Sequence, residues 1–182
     1  YFVMLAGMDA SAPSQIPNYE DEAKFLTEVV EKISPRQFNR QFDGLASHSY
    51  PNPGFIAPPL PKKLEGITTY QYEYTYINSR SDRKIPAFIT ETGWDSSKLP
   101  GSVVAKYYKI AYDDFWGKDK DKIVAITPFL LNSQGGAFDI FSFVKNGQFT
   151  EYYAASEKME KTKGEPLIQA VKGLATAQII KF

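Results

Sequence analysis

Lys84-Ile85-Pro86-Ala87-Phe88-Ile89-Thr90-Glu91-Thr92-Gly93-Trp94 carries an apolar run, Ile85 to Ile89, straight into a carboxylate. A short run free of charge is what a parallel strand covered on both faces needs. The sequence therefore predicts a strand here, with Glu91 at the point where it meets its loop. In α/β proteins the functional groups gather at that end of the sheet, which makes Glu91 the first candidate for chemistry.

Phe42-Asp43-Gly44-Leu45-Ala46-Ser47-His48-Ser49-Tyr50-Pro51 has the same design: a short, mostly apolar strand, stopped by Pro51 and Pro53. With a period of two, His48 and Tyr50 fall on one face and offer an imidazole and a phenol to a shared pocket. His48 is the sole histidine of the chain.

Around these segments the chain alternates strand and helix four times, the pattern of an α/β fold with parallel strands. The first strand is expected over Phe2 to Met8. Its helix follows from about Asp21 to Ile33, where Ala23, Phe25, Leu26, Val29, Val30 and Ile33 make an apolar stripe at helical spacing. After the second strand, Phe42 to Ser47, comes a loop from Pro51 to Lys63 with five prolines. Tyr70, Tyr72, Tyr74 and Tyr76 then alternate like a strand, while Ile67, Tyr70, Tyr74 and Ile77 recur like a helix. Helix is the reading adopted, because two parallel strands need a crossover and Gly66 to Arg80 is the segment that can supply it.

The third unit is a strand over Ala87 to Thr90 and a helix from about Ser102 to Trp116. The fourth is a strand over Ile123 to Leu130, a glycine-containing loop to Asp139, and an amphipathic helix from Tyr152 to Lys161. One unit is expected over 1–165, with 166–182 as an apolar tail.

Composition excludes several classes of function. With 21 basic against 21 acidic residues, nothing favours nucleic acid or an anionic membrane surface. No run of about 18 apolar residues or signal peptide is present. The absence of cysteine removes disulfides, thiolate metal sites and cysteine catalysis, and leaves the compartment open. There is no Gly-x-Ser-x-Gly elbow, no phosphate-cradling loop and no dinucleotide fingerprint, and one histidine offers no metal set. No cofactor is implied. Aromatic residues make 15% of the chain, and an aromatic face packs well on the C–H groups of a sugar ring. Trp94 beside Glu91 is the expected platform, with Tyr50, Phe55 and Phe138 on neighbouring loops.

A strand ending His48-Ser49-Tyr50, then a helix, then a strand ending Ile89-Thr90-Glu91-Thr92-Gly93-Trp94 resembles the retaining glycoside hydrolases of clan A, which are (β/α)8 TIM barrels. The resemblance implies the carboxy-terminal half of such a barrel, strands five to eight, as four parallel strand-helix units. It implies Glu91 as nucleophile and His48 and Tyr50 as cleft residues; together with the aromatic Trp94 and Phe138 these are the residues expected to bind an oligo- or polysaccharide. The family's acid/base is a glutamate that follows an asparagine at the fourth strand end, and no Asn-Glu pair occurs here. That residue is expected in an amino-terminal half. At 182 residues the chain is short of the roughly 250 typical of the barrel, and it opens at Tyr1 inside an apolar run, as a fragment, a processed product or a trimmed form would. Where a tryptophan often ends strand eight, this chain has Phe129, Leu130 and Leu131. The resemblance also inclines the location to secreted or cell-surface.

The reaction so implied is double displacement, with a second carboxyl group about 5–5.5 Å from the nucleophile. An open half barrel would leave strand edges and an inner face uncovered. Either the missing half or a second copy would cover them, and Asp9 is the nearest local substitute for the acid. The other reading is a carbohydrate-binding or structural half barrel without catalysis.

Overall fold

The computed structural model describes residues 1–11, 18, 20–161 and 163–164, so the expected tail of 166–182 lies outside the described residues. Its centre is a sheet of four parallel strands in sequential order: β1 (Met4–Leu5), β2 (Gly44–His48), β3 (Ala87–Glu91) and β4 (Ile123–Ile126). The helices between them are α1 (Glu22–Lys32), α2 (Pro35–Gln41), α3 (Thr69–Asn78) and α4 (Gly101–Ile110). A hairpin of β5 (Val144–Lys145) and β6 (Gln148–Phe149) precedes α5 (Glu151–Lys158).

Alternation along the strands sorts their side chains. Leu5, Leu45, Ile89 and Ile123 are buried against helices. One cluster gathers Leu5, Leu26, Phe38, Leu45, Ile77 and Ile85, and the other joins Ile89 and Ile123 to Trp94, Val104, Tyr108, Trp116 and Tyr152. Sequential strand order with right-handed crossovers places the helices on one side of a sheet. The opposite face is correspondingly open: Met4 is 40% and Val124 37% exposed. The strand at Glu91 was expected to be covered on both faces, yet Phe88 is half-buried and among the described residues its one ring contact is Phe2, edge on at 5.5 Å. Gly44 makes room for that pair, since a Cβ there would stand 2.8 Å from the Phe88 ring and 3.0 Å from the Phe2 ring.

The tyrosine-rich segment is helical, with Tyr70, Glu73 and Ile77 as its buried stripe. Several elements differ from their expected bounds. β1 is two residues rather than seven, because β2 offers pairing to Met4 and Leu5 alone, with a separate bridge from Asp9 to His48. The helix expected to reach Trp116 changes at Ala111 into a π-turn, Ala111–Phe115, and then a 3-10 turn, Trp116–Asp119. This unwinding seats Trp116 in the core, where its Nε1 donates to Ile67 O at 3.0 Å. β4 ends at Ile126, and the chain beyond is held by Thr127 N to Ile89 O and Phe129 N to Thr92 O. Helix α2 and the hairpin were not expected. Arg83 ties the α2–β2 junction by donating to Asn39 O, Phe42 O and the Asp43 carboxylate.

Candidate active site

Glu91 closes β3 and His48 closes β2, so the two strands end side by side. Their register slips at this point: Ser47 pairs with Ile89, but His48 pairs with Glu91 and Thr90 is passed over. The slip brings the imidazole across from the carboxylate, with His48 Nε2 3.6 Å from Glu91 Oε1. That is an electrostatic contact rather than a hydrogen bond. The Tyr50 hydroxyl donates to the other oxygen, Glu91 Oε2, at 3.2 Å. The expected sharing of one face by His48 and Tyr50 is thus what the structure contains.

The pocket floor is fixed by close packing. The His48 ring lies over Gly7, where a Cβ would come within 2.6 Å of Cδ2, so any larger residue would displace the imidazole. Tyr50 is buried, edged by Phe55 at 5.0 Å, Phe141 at 5.8 Å and Phe129 at 6.3 Å. Burial first, then the charges of Glu91 and Asp9, hold its phenol well above the ordinary tyrosine range, so it remains a donor. Asp9 enters from the end of β1, with its Oδ1 taken by Ser11 N at 2.9 Å and Ser11 Oγ at 2.7 Å.

Trp94 is a correction to the sequence reading. The indole is 2% exposed, packs on Tyr107 and Tyr108, and donates from Nε1 to Ala57 O at 2.9 Å. The chain has turned toward α4 by this residue, so the ring serves the core and presents no face beside Glu91. Phe138, expected on a loop, lies instead in a 3-10 turn, Ala137–Phe141, where it is 59% exposed and edge on to Phe129 at 5.5 Å. An aromatic series therefore runs from Tyr50 through Phe129 to Phe138 at the surface. Phe141, which touches Tyr50, Phe55 and Phe129, was not anticipated.

Chemically, the site offers one half-buried carboxylate held by a phenol and faced by an imidazole, in aromatic surroundings. It can act as a nucleophile or general base toward a group arriving from the open side. Among the described residues no group of three or more histidine, aspartate or glutamate side chains gathers to hold a metal ion. A separate cleft of about 520 Å³ follows the outer edge of β4, lined by Tyr112, Trp116 and Ile123 to Ile126, and does not include Glu91. None of the helices is long and apolar enough to cross a membrane among the described residues. No protein-family model, no curated protein and no solved structure matches the chain.

Proposed function

We propose that the chain is the carboxy-terminal half of a (β/α)8 barrel and carries the nucleophile of a retaining glycoside hydrolase. The observation that carries the reading is the placement of Glu91 at the carboxy end of a parallel strand, with the Tyr50 phenol donating to it and His48 facing it. Four parallel strands in sequential order, with one face left open, support the half-barrel part.

In this reading a Glu91 carboxylate oxygen attacks the anomeric carbon and the glycosidic C–O bond breaks. The leaving oxygen takes a proton from a second carboxyl group about 5–5.5 Å away, which belongs to the half that covers the open face. That carboxylate then removes a proton from water, the water oxygen attacks the anomeric carbon, and Glu91 leaves as carboxylate. Tyr50 orients the attacking oxygen and offsets the loss of water around it. Oligo- or polysaccharide is the substrate class, with exposed Phe138 and half-buried Phe129 as an aromatic wall.

A second reading, a sugar-binding or structural half barrel, is supported by Asp9: this carboxylate, bridged through its backbone to His48, has an oxygen engaged by Ser11. Glu91→Gln separates the two in the assembled protein, assayed on a panel of aryl glycosides and oligosaccharides. Loss of turnover with sugar binding retained supports the hydrolase. Hydrolysis that survives the substitution removes Glu91 as nucleophile.

A further inference from the structure

Two successive peptide groups a few residues after Glu91 hold the loops that carry the site's aromatic rings. Asp95 N donates to Phe55 O at 2.9 Å, in the loop that follows β2, and Ser96 N donates to Ile140 O at 3.0 Å, in the 3-10 turn Ala137–Phe141. The segments so gathered bring Phe55 and Phe141 edge on at 5.2 Å and place both rings against Tyr50. Tyr50 is the residue that donates to Glu91.

The Asp95 bond is backed by a local turn, because its buried carboxylate accepts from Ser97 N at 2.8 Å and lies 3.0 Å from Lys98 Nζ. The Ser96 bond is backed from further along the chain. Its hydroxyl also donates to Ile140 O, at 2.6 Å, and accepts from Lys145 Nζ of β5 at 2.8 Å. A hydroxyl carries one proton and has lone pairs to accept with. With an ammonium on the accepting side, the Ser96 proton is directed to Ile140 O, and that carbonyl holds two donors from one residue. A bond fed by a charged donor is stronger than a neutral one.

The same cation reaches the next residue of the turn. Lys145 Nζ lies 3.9 Å from Asp139 Oδ2, while Asp139 Oδ1 accepts from Ser133 Oγ at 2.9 Å. The turn is therefore gripped at Asp139 and Ile140, and Phe138 and Phe141 flank that grip in sequence. Rings on a turn can receive a ligand in a fixed place only if the backbone beneath them is held. Strand β4 does not supply this, since it ends at Ile126, well before the turn.

We infer that Ser96 is a positioning residue: with Lys145 donating to it, it docks the 3-10 turn on the chain that leaves Glu91, setting Phe141 against Tyr50 and Phe138 at the exposed end of the aromatic series. The placement of the rings stands on the geometry alone. Its effect on sugar binding rests on the hydrolase reading.

Fluorine NMR of the full chain with para-fluorophenylalanine at Phe141 tests this, because Tyr50, Phe55 and Phe129 surround that ring and set its resonance. Ser96→Ala is expected to move the signal more than halfway to its position in urea, and Lys145→Met to move it in the same direction. Ser96→Thr, which keeps the hydroxyl, holds the parent position. The same label at Phe38 of α2, in the other core cluster, reports on the fold as a whole and stays fixed. If Ser96→Ala and Lys145→Met leave the Phe141 signal in place and lower only the Tm, both residues are structural and the inference is wrong. A threonine that behaves as alanine does would also overturn the role of the hydroxyl. Should Ser96→Ala move both labels, the fold is lost and Lys145→Met decides. In the assembled protein Ser96→Ala should raise KM for an oligosaccharide about threefold or more and hold kcat within about twofold. Failure of the hydrolase reading appears separately, as turnover that survives Glu91→Gln, and leaves the fluorine result standing.

Discussion

The Tyr50 hydroxyl donates to Glu91 Oε2 at 3.2 Å and so joins two strand ends that lie far apart in sequence. Removing the hydroxyl should cost little in packing, because the ring contacts with Phe55, Phe129 and Phe141 remain. Tyr50→Phe is expected to lower stability by about 1 kcal/mol, the ordinary net worth of such a bond. Combined with Glu91→Ala, the two losses should fall short of their sum by about 0.5–1.5 kcal/mol, since both remove the same interaction. Urea denaturation of the four proteins measures this, and strictly additive losses would mean that the bond is not formed in solution.

Glu22 of α1 and Glu73 of α3 are buried, and they give a pH dependence of definite sign. Burial raises Glu22 and Glu73 above the ordinary carboxylate range, so the folded chain binds more protons than the unfolded chain once the pH exceeds that range. Stability is therefore expected to fall as pH rises through neutrality, by up to about 1.4 kcal/mol per pH unit for each proton of difference. Asp95 acts in the opposite sense: burial pushes it up, but bonds from Ser97 and Lys98 outweigh that and lower it, so its contribution is lost only in acid and does not mask the slope. Chemical denaturation across neutral to mildly alkaline pH should show the decline, and Glu22→Gln should flatten it. A flat curve for the parent chain would contradict carboxyls raised by burial.

Both tryptophans are core residues with bonded indoles, Trp94 to Ala57 O and Trp116 to Ile67 O. Acrylamide should barely quench either in the folded chain, and sugars should not change that quenching. Trp94→Ala is expected to cost about 3–5 kcal/mol, as for a large aromatic removed from a core. Phe138→Ala should cost no more than about 0.5 kcal/mol, as at an ordinary surface position, and should still weaken sugar binding. Protection of Trp94 fluorescence by a saccharide would restore the platform role that its burial denies.

Which parts of this arrangement could be read beforehand follows from how local their causes are. Glu91, His48 and Tyr50 were legible because strand period and the position of a strand end are written in neighbouring residues. Helix α3 was ambiguous by periodicity and was decided by the need for a crossover. Two missed elements carried plain local signals: Ser34-Pro35 with Gln37, which forms a capping box at the start of α2, and Asn146-Gly147, whose positive φ angles of 50° and 74° make the turn between β5 and β6. The fate of Trp94 was not legible, since it depends on Ala57 and α4, distant in sequence. The slip between β2 and β3 leaves no trace in composition, and Glu73 reads as one more acid on a tyrosine-rich helix until the packing of α3 is seen to bury it.

The open face of the sheet predicts behaviour in solution. Phe2, Val3, Met4 and Val124 are exposed on or beside β1 and β4, the outer strands of the sheet among the described residues, a combination that promotes association. If the proposed half barrel is right, something must cover this face, and a second copy is one cover that the chain alone can supply. Sedimentation velocity should then show self-association that deepens with concentration. Met4→Lys with Val124→Lys places charge on both edge strands. It should shift the chain toward monomer while changing stability by about 0.5 kcal/mol or less per site, because neither side chain is part of the packed core. A parent chain that stays monomeric at the same concentrations would exclude a second copy as the cover and leave the amino-terminal half as the proposed partner. A charged variant that associates as strongly as the parent would place the contact elsewhere on the molecule.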